Sequence, residues 1–232
     1  MTFLPDHMLV VMLAVLFPIR AATFGYRRLV QADEADVPRV RLWLYRQIIA
    51  IQWSLAALVV LLWAVFRRPW SAVGLQPVAS WGLIGVVAGL LIVVLLVALQ
   101  QRGAGAETHA LVRQRARHIE RMLPHDAHEL RWFGAVAVTA GICEELLYRG
   151  YLIWYFQHGM PLTLAVALAA IIFGAGHFYQ GARGMILTAI VGAFLAAVYI
   201  LSGSLFAPMA LHALMDLHAG RSAYRAYRQP AA

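Results

Sequence analysis

The sequence predicts an all-α, polytopic transmembrane helical bundle of about seven spans, six to eight being compatible with the pattern. Three observations lead there. Of the 232 residues 62% are hydrophobic and only 13% are charged, with a mean hydropathy of +0.71, where a soluble domain carries about a quarter of its residues charged. Long uncharged runs recur along the chain, each near the ~20 apolar residues that a helix needs to cross a bilayer. A single cysteine, Cys143, excludes a disulfide framework and a Cys-rich zinc module. Disorder is excluded by the same apolar content. The net charge of +8 points to a membrane surface and not to nucleic acid once that content is weighed.

The predicted spans follow in order. A first lies within Phe3 to Tyr26, its ends blurred by Asp6, Pro18 and Arg20. Met1 to His7 contains Asp6 and no Arg, which argues against the basic start of a cleavable signal peptide. The second, Ile48 to Phe66, has only Gln52 and Ser54 as polar interruptions, and the third, Val78 to Leu99, is uncharged. The fourth, Trp132 to Phe156, is apolar except for Glu144, Glu145 and Arg149 in its middle. Met160 to Gly176 and Gly184 to Leu201 are the fifth and sixth. The seventh, Ser204 to Gly220, carries His212, Asp216 and His218. No internal repeat or low-complexity tract interrupts the series.

This divides the chain into motif-free N-terminal spans (1–99), a basic cytoplasmic linker (100–131), a catalytic membrane core (132–220) and a basic tail (221–232). In the linker, Leu111, Ile119, Met122 and Leu123 alternate with Arg113, Arg115, Arg117 and Arg121. That pattern predicts an amphipathic helix on anionic lipid. All 19 basic residues are Arg, and seven spans place sixteen of them on one face against Arg67 and Arg68 on the other. The positive-inside rule makes the arginine-rich face cytoplasmic, with the N-terminus outside and the C-terminus inside.

Ionisable groups at mid-bilayer cost about 2.5–3.5 kcal/mol each on insertion scales and mark functional sites by default. Here they are confined to spans four, five and seven. In Glu144-Glu145-Leu146-Leu147-Tyr148-Arg149, Glu145 and Arg149 stand at i and i+4 and can pair. Glu144 lies about 100° around an α-helix from Glu145, with Tyr148 as its own i+4 neighbour. One carboxylate is thereby neutralised and the other is left to act as a general base or acid. His177 follows Phe173 by four residues, beside Gly174 and Gly176, which suit close helix approach. His212 and Asp216, again at i and i+4, can pair so that the carboxylate fixes the ring.

Two chemistries suit these residues. In one, Glu144 and His177 polarise a water while His212 with Asp216 stabilises an oxyanion, with no cofactor required. In the other, His177, His212 and Glu144 ligate zinc, although no His-Glu-x-x-His signature is present. A proton-coupled transporter, or a non-catalytic immunity or binding protein on the same scaffold, is the alternative from a different class.

Glu-Glu-x-x-x-Arg at 144–149, Phe-x-x-x-His at 173–177 and His-x-x-x-Asp at 212–216, in that order on three apolar spans, resemble the CPBP family of intramembrane proteases (CAAX proteases and bacteriocin-processing enzymes). The similarity covers about residues 125–220. The resemblance implies peptide hydrolysis on a membrane-associated protein or peptide in a bacterial inner membrane. Bacteriocin leaders or C-terminal sorting anchors are expected before prenylated substrates. It makes Glu144 and His177 the water-activating pair, His212 and Asp216 the oxyanion side, and Glu145, Arg149, Phe173 and Tyr148 their support. Some members carry Asn where this chain has Asp216. An ionised Asp cannot donate to an oxyanion, so its expected role here is orienting His212.

Overall fold

The computed structural model describes residues 3–16, 25–78, 81–100, 110, 112–114 and 116–228. Among them the regular elements are all helical. Helix α1 (Leu4–Val11) runs into a π-helical turn, Met12–Leu16. A short α2 (Tyr26–Val30) precedes α3 (Val37–Val65), α4 (Trp81–Gln100) and α5 (Ala127–Glu144). A π-helical segment, Glu145–Leu152, and α6 (Ile153–Phe156) continue α5 without a break. Helices α7 (Leu162–Gly176), α8 (Gly181–Ser202) and α9 (Phe206–Arg228) complete the bundle.

Among the described residues two helical stretches are long and apolar enough to cross a membrane, Val37–Val65 and Phe178–Ser202. Only 33% and 22% of their most apolar windows are buried inside the protein. Ile186, Leu187, Ile190 and Leu201 are more than half exposed, as a lipid-facing surface requires and a soluble core helix does not. The fourth, fifth and seventh predicted spans correspond to shorter or more polar helices.

Helix α5 is central, packed against α9 on one side and α3 on the other, while α7 and α8 form a second close pair. Small residues set the distances. A Cβ at Gly141 would come within 2.8 Å of the Met209 carbonyl oxygen on α9, and one at Gly174 within 2.7 Å of the Met185 carbonyl oxygen on α8. Gly176 is less constrained, since its added Cβ would only touch the Tyr148 hydroxyl at 3.6 Å. Thus Gly174 permits the close approach expected of both glycines.

The linker expected to be one amphipathic helix over Leu111–Leu123 is described only in part: residues 112–114 and 116 are α-helical, Arg117–Met122 is a 3-10 turn, and Leu111 and Arg115 lie outside the described residues. The turn is tied to the protein, because Arg121 donates to the carbonyls of Val30 and Ala32 at 2.9 and 2.8 Å and pairs with Glu34. In return Arg41 Nε donates to the Arg121 carbonyl at 2.6 Å, and its Nη1 meets buried Glu129 at 2.5 Å. These backbone acceptors hold the segment in the tighter turn. The last helix also continues past Gly220 to Arg228. Ala223 and Ala226 are buried there, and Arg113 donates to the Ala226 carbonyl at 2.7 Å.

At the end of the bundle away from the arginine-rich loops, Asp6 is fully buried. Its two carboxylate oxygens receive Arg68 Nη1 and Nη2 at 2.8 and 2.6 Å, and Tyr151 donates to one of them at 3.0 Å. The backbone N–H of Phe3 adds a further bond at 2.8 Å. Asp6 thus anchors the first helix and does not merely fray its end.

Candidate active site

The site is built where α5 passes into the π-helical segment. A regular α-helix was expected through Glu144–Arg149, whereas the wider turn begins at Glu145. Such turns occur mostly as local interruptions of α-helices, frequently at functional sites. Glu145 and Arg149 still meet, with Nη1 donating to Oε1 at 2.7 Å, and both are buried. Arg149 Nη2 also donates to the Gly192 carbonyl on α8 at 3.1 Å. Its guanidinium lies 4.3 Å from the centre of the Phe173 ring on α7. A charge this deep needs those partners, since an unpaired buried ion is costly.

The second partner of Glu145 is His212 on α9, whose Nδ1 stands 2.7 Å from the same Oε1. A carboxylate oxygen accepts, so Nδ1 carries the proton and Nε2 is the other face of the ring. This corrects the expected His212–Asp216 hydrogen bond. Asp216 Oδ2 is 3.7 Å from Nε2, beyond hydrogen-bond range. The buried charge of Glu145 captures the imidazole, and Asp216, on the same helix, is left beside the opposite nitrogen.

Glu144 points elsewhere, as helical geometry requires of adjacent residues. Its Oε1 accepts from Gln52 Nε2 on α3 at 2.7 Å. Its Oε2 has no protein hydrogen-bond partner among the described residues and lies 3.9 Å from His212 Nε2. His177 sits at the C-terminal end of α7, where its Nδ1–H donates to the Phe173 carbonyl at 2.8 Å. A carbonyl only accepts, which leaves Nε2 of the neutral ring as an acceptor. Phe173 forms the wall joining these groups. Its ring is 4.8 Å from His177, 6.1 Å from His212 and 5.0 Å from Tyr148, centre to centre.

Glu144, His177, His212, Asp216 and Gln52 all line one cavity of about 500 Å³. Ile48, Ile51, Phe133, Val136, Val191 and Met215 give it apolar walls, and Tyr26, Ile119 and Met122 place one end of it beside the arginine-rich loops. Glu145, Arg149 and Tyr148 are behind that wall. Among the described residues no three His, Cys, Asp or Glu side chains are arranged to hold a metal ion. His177, His212 and Glu144, the residues that would hold zinc, line the same cavity. Gln52 was not among the residues singled out for chemistry, although its signal was present as an amide inside an otherwise apolar span.

Residues 126–218 match the family described as Rce1-like, type II CAAX prenyl endopeptidase. The match spans the three motifs. It covers nearly the same segment as the resemblance to the CPBP proteases that the motifs carry. No curated protein and no solved structure matches the chain.

Proposed function

We propose that the protein is an intramembrane endopeptidase that hydrolyses a peptide bond with water activated by Glu144 and His177. The observation that carries this reading is Glu144, which lines a cavity with His177 and His212 and whose Oε2 has no protein partner among the described residues. A water bound between Oε2 and His177 Nε2 gives its proton to Glu144 as its oxygen attacks the scissile carbonyl. His212, with Nδ1–H held by Glu145, donates Nε2–H to the developing oxyanion when the ring is doubly protonated. Glu144 returns its proton to the leaving amine, so the base is regenerated. Asp216, 3.7 Å from the same His212 nitrogen, favours the doubly protonated ring by its charge and has no direct part in bond breaking.

The apolar walls suit apolar side chains of a membrane-associated protein or peptide, such as a bacteriocin leader or a C-terminal sorting anchor. The arginines around the mouth suit anionic lipid. The full reading has seven spans, the N-terminus outside and the C-terminus in the cytoplasm of a bacterium, and needs no metal. The test uses the purified protein in liposomes with a mixed library of membrane-tethered, internally quenched peptides. Wild type is expected to cleave, and Glu144→Gln to be slower by roughly 10²-fold or more while remaining folded. Equal rates for the two would remove Glu144 from the reaction.

A further inference from the structure

We infer that Gln52, on α3 and outside the segment that matches the protease family, is a positioning residue for Glu144. The inference rests on the proposed hydrolytic role of Glu144. Gln52 is 3% exposed, in a helix that is otherwise apolar between Ile48 and Val65 apart from Ser54. A buried primary amide costs free energy unless both its ends are used. Among the described residues only one end is used: Nε2 donates to Glu144 Oε1 at 2.7 Å, and Oε1 of the amide has no partner there.

That arrangement assigns the two oxygens of Glu144 different duties. The Gln52 donor occupies Oε1 and fixes the rotation of the carboxylate. Oε2 is thereby kept on the side of His212 Nε2, where it can take a proton from water. Gln52 also lines the cavity, beside the carboxylate that it orients. The neighbouring contact explains why the amide is held. Trp53 Nε1 donates to Thr139 Oγ1 at 3.2 Å, fastening the same turn of α3 to α5. The N-terminal half therefore does more than support the catalytic helices: it completes the orientation of the base.

Gln52→Met keeps the length and removes both polar atoms. In the liposome assay with the quenched peptide library, kcat is expected to fall roughly 10-fold, the size of effect that a misplaced catalytic group produces. KM should stay within about twofold, because the lost contact acts on the transition state. Introduced into Glu144→Gln, the same change should alter the residual rate by less than about twofold, since the two residues act as one unit. Gln52→Asn, which keeps a shorter amide, should lie between wild type and Gln52→Met and serves if the latter does not fold. Full activity of Gln52→Met, or an equal fractional loss in both backgrounds, overturns the positioning role while leaving the protease reading intact. A wild type that cleaves no peptide overturns that reading and this inference with it.

Discussion

Of the three buried carboxylate–arginine pairs among the described residues, those at Asp6 and at Glu145 look alike in composition and differ in completeness. At one end, Asp6 uses both oxygens on Arg68 and adds Tyr151 and a backbone N–H. At the other, Glu145 bridges Arg149 and His212, while the adjacent Glu144 keeps one oxygen unpartnered on the cavity. A saturated buried acid has no capacity left for a reacting molecule. It fastens the first helix to the turn after α3, with Arg68 packed 4.5 Å from the Trp154 ring centre. An acid with one oxygen free in a cavity has that capacity, at a cost in stability. Hydrogen-bond accounting marks the anchor, and the cavity marks the reactive centre, because Glu129 and Glu145 also keep an unpartnered oxygen among the described residues but do not line the cavity that Glu144 lines.

The largest separation should come from Glu145→Gln. It leaves Arg149 without its counter-charge and releases His212 from its fixed orientation. Breaking a buried pair costs about 3–5 kcal/mol, so the melting temperature should drop sharply. Cleavage per folded molecule should also fall, by roughly 10²-fold, because the oxyanion side loses its alignment. Stable, fully active Glu145→Gln would break the link drawn between the two roles.

Asp6→Asn should instead lose stability alone, on the order of 3 kcal/mol, with cleavage per folded molecule within about twofold of wild type. Thermal melting and the peptide assay, run on the same preparation, check both halves. Lost activity in a well-folded Asp6→Asn would show that the two centres are coupled.

A smaller effect is expected from pH. His125, in the loop before α5, has its pKa held below the ordinary 6.5 by burial and by the nearby Arg41 charge. A base whose folded pKa is depressed contributes stability above its unfolded value, and this is lost as pH falls through the lower folded value. The melting temperature should therefore decline modestly as pH drops below about 6.5, and His125→Gln should flatten that decline. An unchanged slope in His125→Gln would assign the pH response to other groups.

Much of this site was legible in the sequence because ionisable residues in apolar helices are few and costly. Glu144, Glu145, Arg149, His177, His212 and Asp216 stood out for that reason, and i,i+4 spacing correctly paired Glu145 with Arg149. The same rule failed for His212 and Asp216. A helical repeat reports which side chains are neighbours on one helix, whereas His212 is held by a stronger charge on another. Gln52 was hidden because its partner is 92 positions away. The Asp6–Arg68 anchor was likewise hidden by a separation of 62. The 3-10 turn at Arg117–Met122 could not be read from alternating polarity, since its cause is the set of carbonyls that Arg121 reaches on another segment.

The central claim is that Glu144 activates water for peptide hydrolysis, and it is tested most directly by a single turnover in ¹⁸O-labelled water. Wild type in liposomes, in excess over the quenched peptides, should release fragments whose new carboxyl groups carry label from the water, identified by mass spectrometry. Glu144→Gln should release them slower by roughly 10²-fold or more. Unlabelled carboxyl groups on the first turnover, or labelled fragments formed as fast by Glu144→Gln as by wild type, would contradict the account.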